Sequence, residues 1–411
     1  MKIAIFSDCY LDLTGGITTM INAEKQELEK RGHTVYVFSS AYPRSAREKQ
    51  KLAKSFIFPV PSCKFIARGL TPIARRPKIV EKWLIKNYPE IKDFDIFYIH
   101  YEAGCSIAGL RLAKQYKIPS IQVMHGREDE GLSNIIPFGF RTTMATLLNL
   151  FHSWYLPHTV KIHKDEYLAN TIAKAKMWTL MINHANFADL VLTPSKHFAT
   201  KLHHYGVKNR IIALPNGVSD ELFLPKLPPR QLKPSEPLHI IWHSRLSSEK
   251  RILPFLKAIS QIKGKYRLDI YGSGGEFWRA KHFAKSHRLN VVFHGNTSFN
   301  KVYHEILKNH LDVLVSFNSD TFGMTLIEAE SLGVPTLIAD PDLKEVVPSG
   351  GYILSDNPSP EAIANSLEDL LCHPEKIEKM SRLLLEHRDA VKISHRIDKL
   401  EKIFQNAIIN S

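Results

Sequence analysis

Cysteine is scarce in this chain. There are four in 411 residues, Cys9, Cys63, Cys105 and Cys372, far apart and without metal-ligand spacing. That excludes a disulfide framework and a thiolate metal centre, and it reads as buried thiols in a reducing compartment. Long apolar runs are also missing. The longest uncharged stretch, between Arg141 and Lys161, carries Thr142, Thr143, Thr146, Asn149, His152 and Ser153, too many polar groups for a membrane-spanning helix. The first residues meet Asp8 too early for a signal peptide and read as a β-strand. The expectation is a cytoplasmic protein, at most peripheral on the inner face of the cell membrane. Acidic residues are thin in one half only. Residues 1–217 hold 30 Lys+Arg against 17 Asp+Glu, whereas residues 218–411 hold 25 against 24. Such asymmetry predicts an anionic partner for the first half, either a membrane surface or an anionic acceptor. Nucleic acid is disfavoured, because no basic motif is interleaved with aromatics.

What is present is strand–helix alternation, twice over. A chain of 411 residues exceeds one ordinary core. Short β-branched runs at Ile3–Phe6, Thr34–Phe38, Ile96–His100, Ser120–Met124 and Leu190–Thr193 alternate with helical patterns. So do His239–Trp242, Arg267–Tyr271, Asn290–Phe293, Val313–Phe317 and Pro335–Ile338. The pattern predicts an α/β protein of two doubly wound, parallel-sheet, Rossmann-like domains facing a cleft, with ligands outside the carboxyl ends of the strands. Four prolines between Lys226 and Pro237 interrupt it. The expected division is a first domain 1–218, a linker 219–237 and a second domain 238–390, with an amphipathic tail helix 391–411 packing back on the first. The segment 131–187 reads as a helical insertion. Met144, Leu147, Leu148, Phe151, Trp154 and Tyr155 recur at helical spacing, as a face packed on its own domain or one that meets lipid.

Several motifs sit where strands end. Gly15-Gly16 precedes a helix and would let backbone amides approach a phosphate, or would serve as a simple tight turn. It is not Gly-x-Gly-x-x-Gly, which weighs against a nicotinamide cofactor. His125-Gly126 ends a strand and could meet a sugar hydroxyl or be a satisfied structural histidine. Pro215-Asn216-Gly217-Val218 is a turn by composition. Arg245-Leu-Ser-Ser-Glu-Lys250 offers a planar fork and a mobile point charge, both able to reach one diphosphate. The richest stretch is Asp320-Thr-Phe-Gly-Met-Thr-Leu-Ile-Glu328. A helix beginning here would present the amides of Phe322, Gly323, Met324 and Thr325 to a phosphate, with Asp320 before it toward a sugar and Glu328 one turn inside toward a ribose. No set of residues has the spacing of a metal site.

In that order and spacing the motifs resemble the GT-B glycosyltransferases of the large retaining family 4, over nearly the whole chain. Gly32-His33-Thr-Val35, Ala188–Ser195 and Tyr271-Gly272-Ser-Gly274 add to the likeness. The resemblance implies transfer of a sugar from a nucleotide diphosphate donor, UDP-glucose, with retention of anomeric configuration and no obligatory metal or other cofactor. It gives Arg245 and Lys250 the diphosphate, Glu328 the ribose, His125 the donor sugar and Gly16 the β-phosphate. Asn216 and Gly272 fall within matching donor-site motifs. Together the catalytic set is His125, Arg245, Lys250 and Asp320. Two positions depart from the family: Asp320 stands where Glu is usual, and Ser244 where Gly is usual. The shorter acid leaves the donor sugar open and permits a non-catalytic nucleotide-sugar-binding partner. Phe56–Ser62, Ser106–Lys114 and Lys117–Ser120 are similar to bacterial diacylglycerol glucosyltransferases. That likeness implies a hexose, glucose, passed to a membrane lipid such as diacylglycerol or a glycolipid, with teichoic acid, polysaccharide or protein as alternative acceptors. The sequence does not set the oligomeric state.

Overall fold

The computed structural model describes residues 1–9, 16–40, 46–63, 74–233 and 235–410, without the side chains of 46, 47 and 49. The chain divides into two compact units, one of Met1–Pro215 with Arg396–Ser411 and one of Asn216–His395.

The first unit is built on β1 (Lys2–Ser7), β2 (Thr34–Ser40), β3 (Ile57–Val60), β4 (Ile96–His100), β5 (Ser120–Val123), β6 (Leu190–Thr193) and β7 (Ile211–Ala213). All pair in parallel, in the order β3-β2-β1-β4-β5-β6-β7. β1 is central, with Ile3 opposite both Val35 and Ile96, and Ile3 to Phe6 are fully buried. A strand covered on both faces needs an unbroken apolar run rather than alternation, which is what Ile-Ala-Ile-Phe supplies. The edge strands β3 and β7 were not among the expected ones. β3 carries Pro59, which an edge tolerates.

Strand order reverses between β1 and β4, so the loops after these two strands run to opposite sides. Asp8, just past β1, bridges them. Its carboxylate accepts from the amides of Ala103 (3.1 Å), Cys105 (2.8 Å) and Ser106 (3.1 Å) at the start of the helix Gly104–Tyr116, and from Ser106 Oγ (2.6 Å). The tail helix Ile393–Ile409 buries Ile397, Leu400 and Phe404 in the first unit, at the spacing of one helical face. Arg396 is buried there, 2.6 Å from Glu24 and donating to the carbonyls of Leu214 (2.5 Å) and Pro215 (2.8 Å).

Residues 131–187 contribute parts of three helices, Glu128–Ile135, Arg141–Ser153 and Ile172–Phe187. The single apolar face expected over 144–155 is in fact split. Phe151 and Tyr155 lie against the sheet core, and Met144 and Leu148 against Leu132, Ala173 and Met177. Leu147, Leu150 and Trp154 face solvent, as do Phe138 and Phe140, which are 82% and 69% exposed. Among the described residues no helix is long and apolar enough to cross a membrane.

The second unit has β8 (Leu238–His243), β9 (Tyr266–Tyr271), β10 (Val291–Gly295), β11 (Leu311–Leu314), β12 (Thr336–Ile338) and β13 (Tyr352–Leu354), all parallel, in the order β10-β9-β8-β11-β12-β13. Trp242, Phe255 and Ile270 centre its core. The proline-rich stretch is irregular and packed on this unit: Leu232 is buried in the core, and the Arg230 amide donates to Ser381 Oγ at 2.8 Å. Order reverses again, now between β8 and β11.

Candidate functional site

The second reversal gathers most of the predicted residues. β8 ends at His243 and runs into Ser244-Arg245 and the short turn Ser248–Lys250. β11 ends at Leu314 and runs through Ser316 and Asp320 into the helix Met324–Ser331. Neighbouring strands with diverging loops leave a crevice at their carboxyl ends. The two motifs, far apart in sequence, meet there.

Lys250 Nζ lies 2.6 Å from Asp320 Oδ1, and Ser316 Oγ donates to the other carboxylate oxygen. Burial works to raise the Asp320 pKa, but Lys250, Ser316 and Arg245 outweigh it and hold the carboxyl below its ordinary range. Arg245 has a side chain 76% exposed, with one long contact of 3.4 Å to Glu249. Its guanidinium is therefore available, whereas Lys250 is held.

Gly323 precedes the helix with φ +80°, a left-handed conformation suited to glycine, and a Cβ there would come within 2.8 Å of Leu314. This turn lets the chain leave β11 and start the helix with its first amides free of side-chain caps. Phe322 is buried in the core beside Val218 and Ile327, and Asn216 Nδ2 lies 3.5 Å from Met324 Sδ. Thr325 Oγ1 and Ser244 Oγ are buried and have no hydrogen-bond partner among the described residues. Gly272 follows β9 with φ +130°, and a Cβ would stand 2.2 Å from the carbonyl oxygen of Ser244. Glycine is needed at 272 so that the loop after β9 can pass against the loop after β8.

Glu328 is 8% exposed. Burial lifts its carboxyl to about 7, opposed by His243 and reinforced by Asp312. His243 was not anticipated as a site residue. Its place as the last residue of β8, two before Arg245, is the only local signal, because its partners Asp312 and Glu328 are remote in sequence.

Gly16 and His125 belong to the first unit. Gly16 opens the helix Gly16–Lys30 and is exposed, while Gly15 lies outside the described residues. His125, just past β5, stacks on His100 with the rings 15° from parallel, and its Nε2 is 2.7 Å from His100 Nδ1. Burial pushes His125 down to about 3, so it is a neutral imidazole at physiological pH. Among the described residues no cluster of His, Cys, Asp or Glu could hold a metal ion.

Residues 14–222 match the family model described as Glycosyltransferase Family 4, and residues 225–383 the model described as Glycosyl transferases group 1. The chain is 23% identical over 352 residues to the alpha-monoglucosyldiacylglycerol synthase of Streptococcus pneumoniae (strain ATCC BAA-255 / R6), covering 82% of this chain and 70% of that protein. It is 31% identical over 125 residues, 30% of each chain, to the protein of the same name from Acholeplasma laidlawii. Among solved structures, sucrose-phosphate synthase from Thermosynechococcus elongatus matches with a TM-score of 0.74 at 15% identity, over 100% of both chains. Anabaena HepE in complex with UDP matches with a TM-score of 0.68 at 15% identity, over 99% of this chain and 100% of that one. The architecture of two parallel-sheet α/β units is the GT-B fold.

Proposed function

The chain belongs to the glycosyltransferases whose two halves these family models describe, and within them we propose retaining transfer of glucose from UDP-glucose to a membrane lipid such as diacylglycerol or a glycolipid. The observation that carries the donor half is the convergence of Lys250, Asp320, Arg245 and the open helix start at Gly323 on one switch point. Two cations and a helix start without a side-chain cap suit a diphosphate. HepE has been solved with UDP and with UDP-glucose, which favours a uridine nucleotide.

In this mechanism Arg245, Lys250 and the amides from Gly323 onward stabilise the negative charge that grows on the leaving diphosphate. The acceptor hydroxyl attacks the anomeric carbon from the face the diphosphate is leaving. A diphosphate oxygen takes the hydroxyl proton, so the configuration is kept without a protein nucleophile. Asp320 shares Lys250 with the diphosphate and faces the sugar. Glu328 accepts from the ribose hydroxyls.

The lipid acceptor is supported by the first unit. Its excess of Lys and Arg is joined by exposed Phe138, Phe140, Leu147, Leu150 and Trp154, with the Arg141 guanidinium 5.7 Å from the Phe138 ring centre. A groove of about 570 Å³ nearby is lined by Leu150, Val160, Ile172, Lys161, Lys164 and Lys176. Aromatic and aliphatic side chains beside cations suit an anionic interface. The names of the streptococcal and Acholeplasma relatives favour the same acceptor.

The test incubates the protein with UDP-glucose and diacylglycerol in vesicles with and without anionic lipid, and reads UDP release, glycolipid formation and anomeric configuration. An α-linked glucolipid formed on anionic vesicles is expected, with vesicle binding weakened by Trp154→Ala together with Phe138→Ala. Transfer only to a soluble or polymeric acceptor would overturn the lipid assignment. Binding of nucleotide sugar without any UDP release would favour the non-catalytic reading.

A further inference from the structure

We infer that His243 is a positioning residue for Glu328: clamped between two carboxylates, it is held as an imidazolium that keeps Glu328 ionised and aimed to accept two hydrogen bonds from a vicinal diol. The inference rests on the reading of Glu328 as the ribose-binding acid.

The geometry is that of a cation between two anions. His243 Nε2 lies 3.1 Å from Asp312 Oδ1, and its Nδ1 lies 3.5 Å from Glu328 Oε2. The histidine side chain is 3% exposed and that of Asp312 fully buried. A neutral imidazole has one N–H, so it would turn a lone pair toward one of the two acids. Only the cation donates on both sides. Neither Asp312 oxygen nor His243 Nε2 has a hydrogen-bond partner among the described residues, so it is the charge of this ring, 3.1 Å away, that compensates the fully buried carboxylate.

The other groups around Glu328 do not replace it. Tyr303, from the helix Phe299–Ile306, turns its hydroxyl to Ser331 Oγ at 2.7 Å, and the Arg388 guanidinium reaches the Ser331 carbonyl. Glu330, two residues on, is itself lifted to about 8 by burial. Burial disfavours a charged His243, yet Asp312 and then Glu328 raise it above the usual imidazole value. For Glu328, burial dominates and His243 opposes it, leaving the carboxyl at about 7. The carboxylate is therefore ionised near neutrality only while the imidazolium stands beside it. A protonated acid has one oxygen left as a good acceptor and would lose half of its grip on a diol.

The experiment measures UDP affinity from about pH 5.5 to 9 for the full chain and for Glu328→Ala, His243→Gln and His243→Lys. Wild-type affinity is expected to fall as pH drops through about 7. Glu328→Ala should bind weakly at every pH; unchanged affinity there would remove the ribose reading and the inference with it. Given a weak Glu328→Ala, His243→Gln should move the acid limb up by at least about one pH unit, which is about fivefold weaker binding at about pH 7 and approaches about tenfold below it. His243→Lys, which keeps a cation, should hold the limb near its wild-type place. A limb unmoved in His243→Gln, or moved equally by both changes, overturns the inference. ¹⁵N-histidine spectra, with the His243 signal assigned by its loss in His243→Gln, give a second reading: that imidazole should stay doubly protonated to higher pH than an ordinary histidine, and a ring that titrates as an ordinary one overturns the inference.

Discussion

Replacing Lys250 with alanine separates what this residue does for the fold from what it does for the reaction. Its amine is 2.6 Å from Asp320, and the two side chains are only 13% and 17% exposed. Removing the amine leaves a largely buried carboxylate with the Ser316 hydroxyl as donor. Breaking a fully buried pair costs about 3–5 kcal/mol and an exposed one under about 1 kcal/mol. With the exposure seen here the loss should be about 2 kcal/mol. Turnover should fall by about two to three orders of magnitude, the scale of losing one stabiliser of a leaving-group charge. Adding Asp320→Asn removes the orphaned charge, so most of the stability should return while turnover stays low. The sign with pH follows from Asp320, whose carboxyl is held below its ordinary range. That stabilisation is present above the unfolded pKa of about 3.9 and is lost as pH falls through the lower folded value. In Lys250→Ala that contribution is absent and the orphaned carboxyl titrates higher, so the stability gap to the wild type should be full near neutral pH and shrink as pH falls and Asp320 is protonated. Urea-unfolding midpoints across pH, paired with initial rates of UDP release, make the measurement. If Lys250→Ala is as stable as the wild type, or if the double variant stays as unstable as the single one, the ion pair is not what the lysine contributes. Near-native turnover would remove Lys250 from the reaction.

Other outcomes follow from neighbouring geometry. Arg245→Ala should leave stability within about 0.5 kcal/mol, since the side chain is 76% exposed, yet lower turnover about 10²–10³-fold; unchanged rates would refute the diphosphate role. Asp320→Glu lengthens the acid that shares Lys250 and should alter the choice among UDP-sugars in a competition assay, and an unaltered preference would mean that this side chain does not touch the sugar. Arg396→Ala strands Glu24, which is fully buried, and should cost about 3–5 kcal/mol in unfolding of the first unit, partly restored by Glu24→Gln. A loss below about 1 kcal/mol would show that the pair is replaceable.

The sequence made the switch-point loops legible because each motif follows a strand whose apolar run is unmistakable. Arg245 and Lys250 follow β8, and Asp320 to Glu328 follow β11. What it could not convey was which charges face one another. Lys250 and Asp320 are 70 residues apart, and no local pattern says that they pair. His243, one residue past the expected strand His239–Trp242, drew no reading because its meaning lies in Asp312 and Glu328. Gly272 stands in a donor-site motif, and sequence could not convey that the Ser244 carbonyl beside it forbids a side chain there. The strands not expected, β3, β7 and β13, are half-buried sheet edges of three or four residues, one of them broken by Pro59. Over 141–155 helical spacing gave the apolar residues correctly, but periodicity cannot tell a residue packed on a neighbour from one turned to water. Here the face is shared between the two.

The buried partnership of Glu24 and Arg396 also sets a timetable for biosynthesis. The two residues are separated by 372 positions, with the whole of the second unit in between. At roughly 5–20 residues per second, a ribosome needs on the order of 20–75 s to travel from one to the other. Throughout that interval the acid on the first helix has no arginine, and the surface meant for Ile397, Leu400 and Phe404 stays uncovered. The first sheet to be synthesised is thus among the last structures to be completed. The nascent chain must carry an unfinished first unit while the inserted one folds, a period in which chaperone capture and premature termination would act.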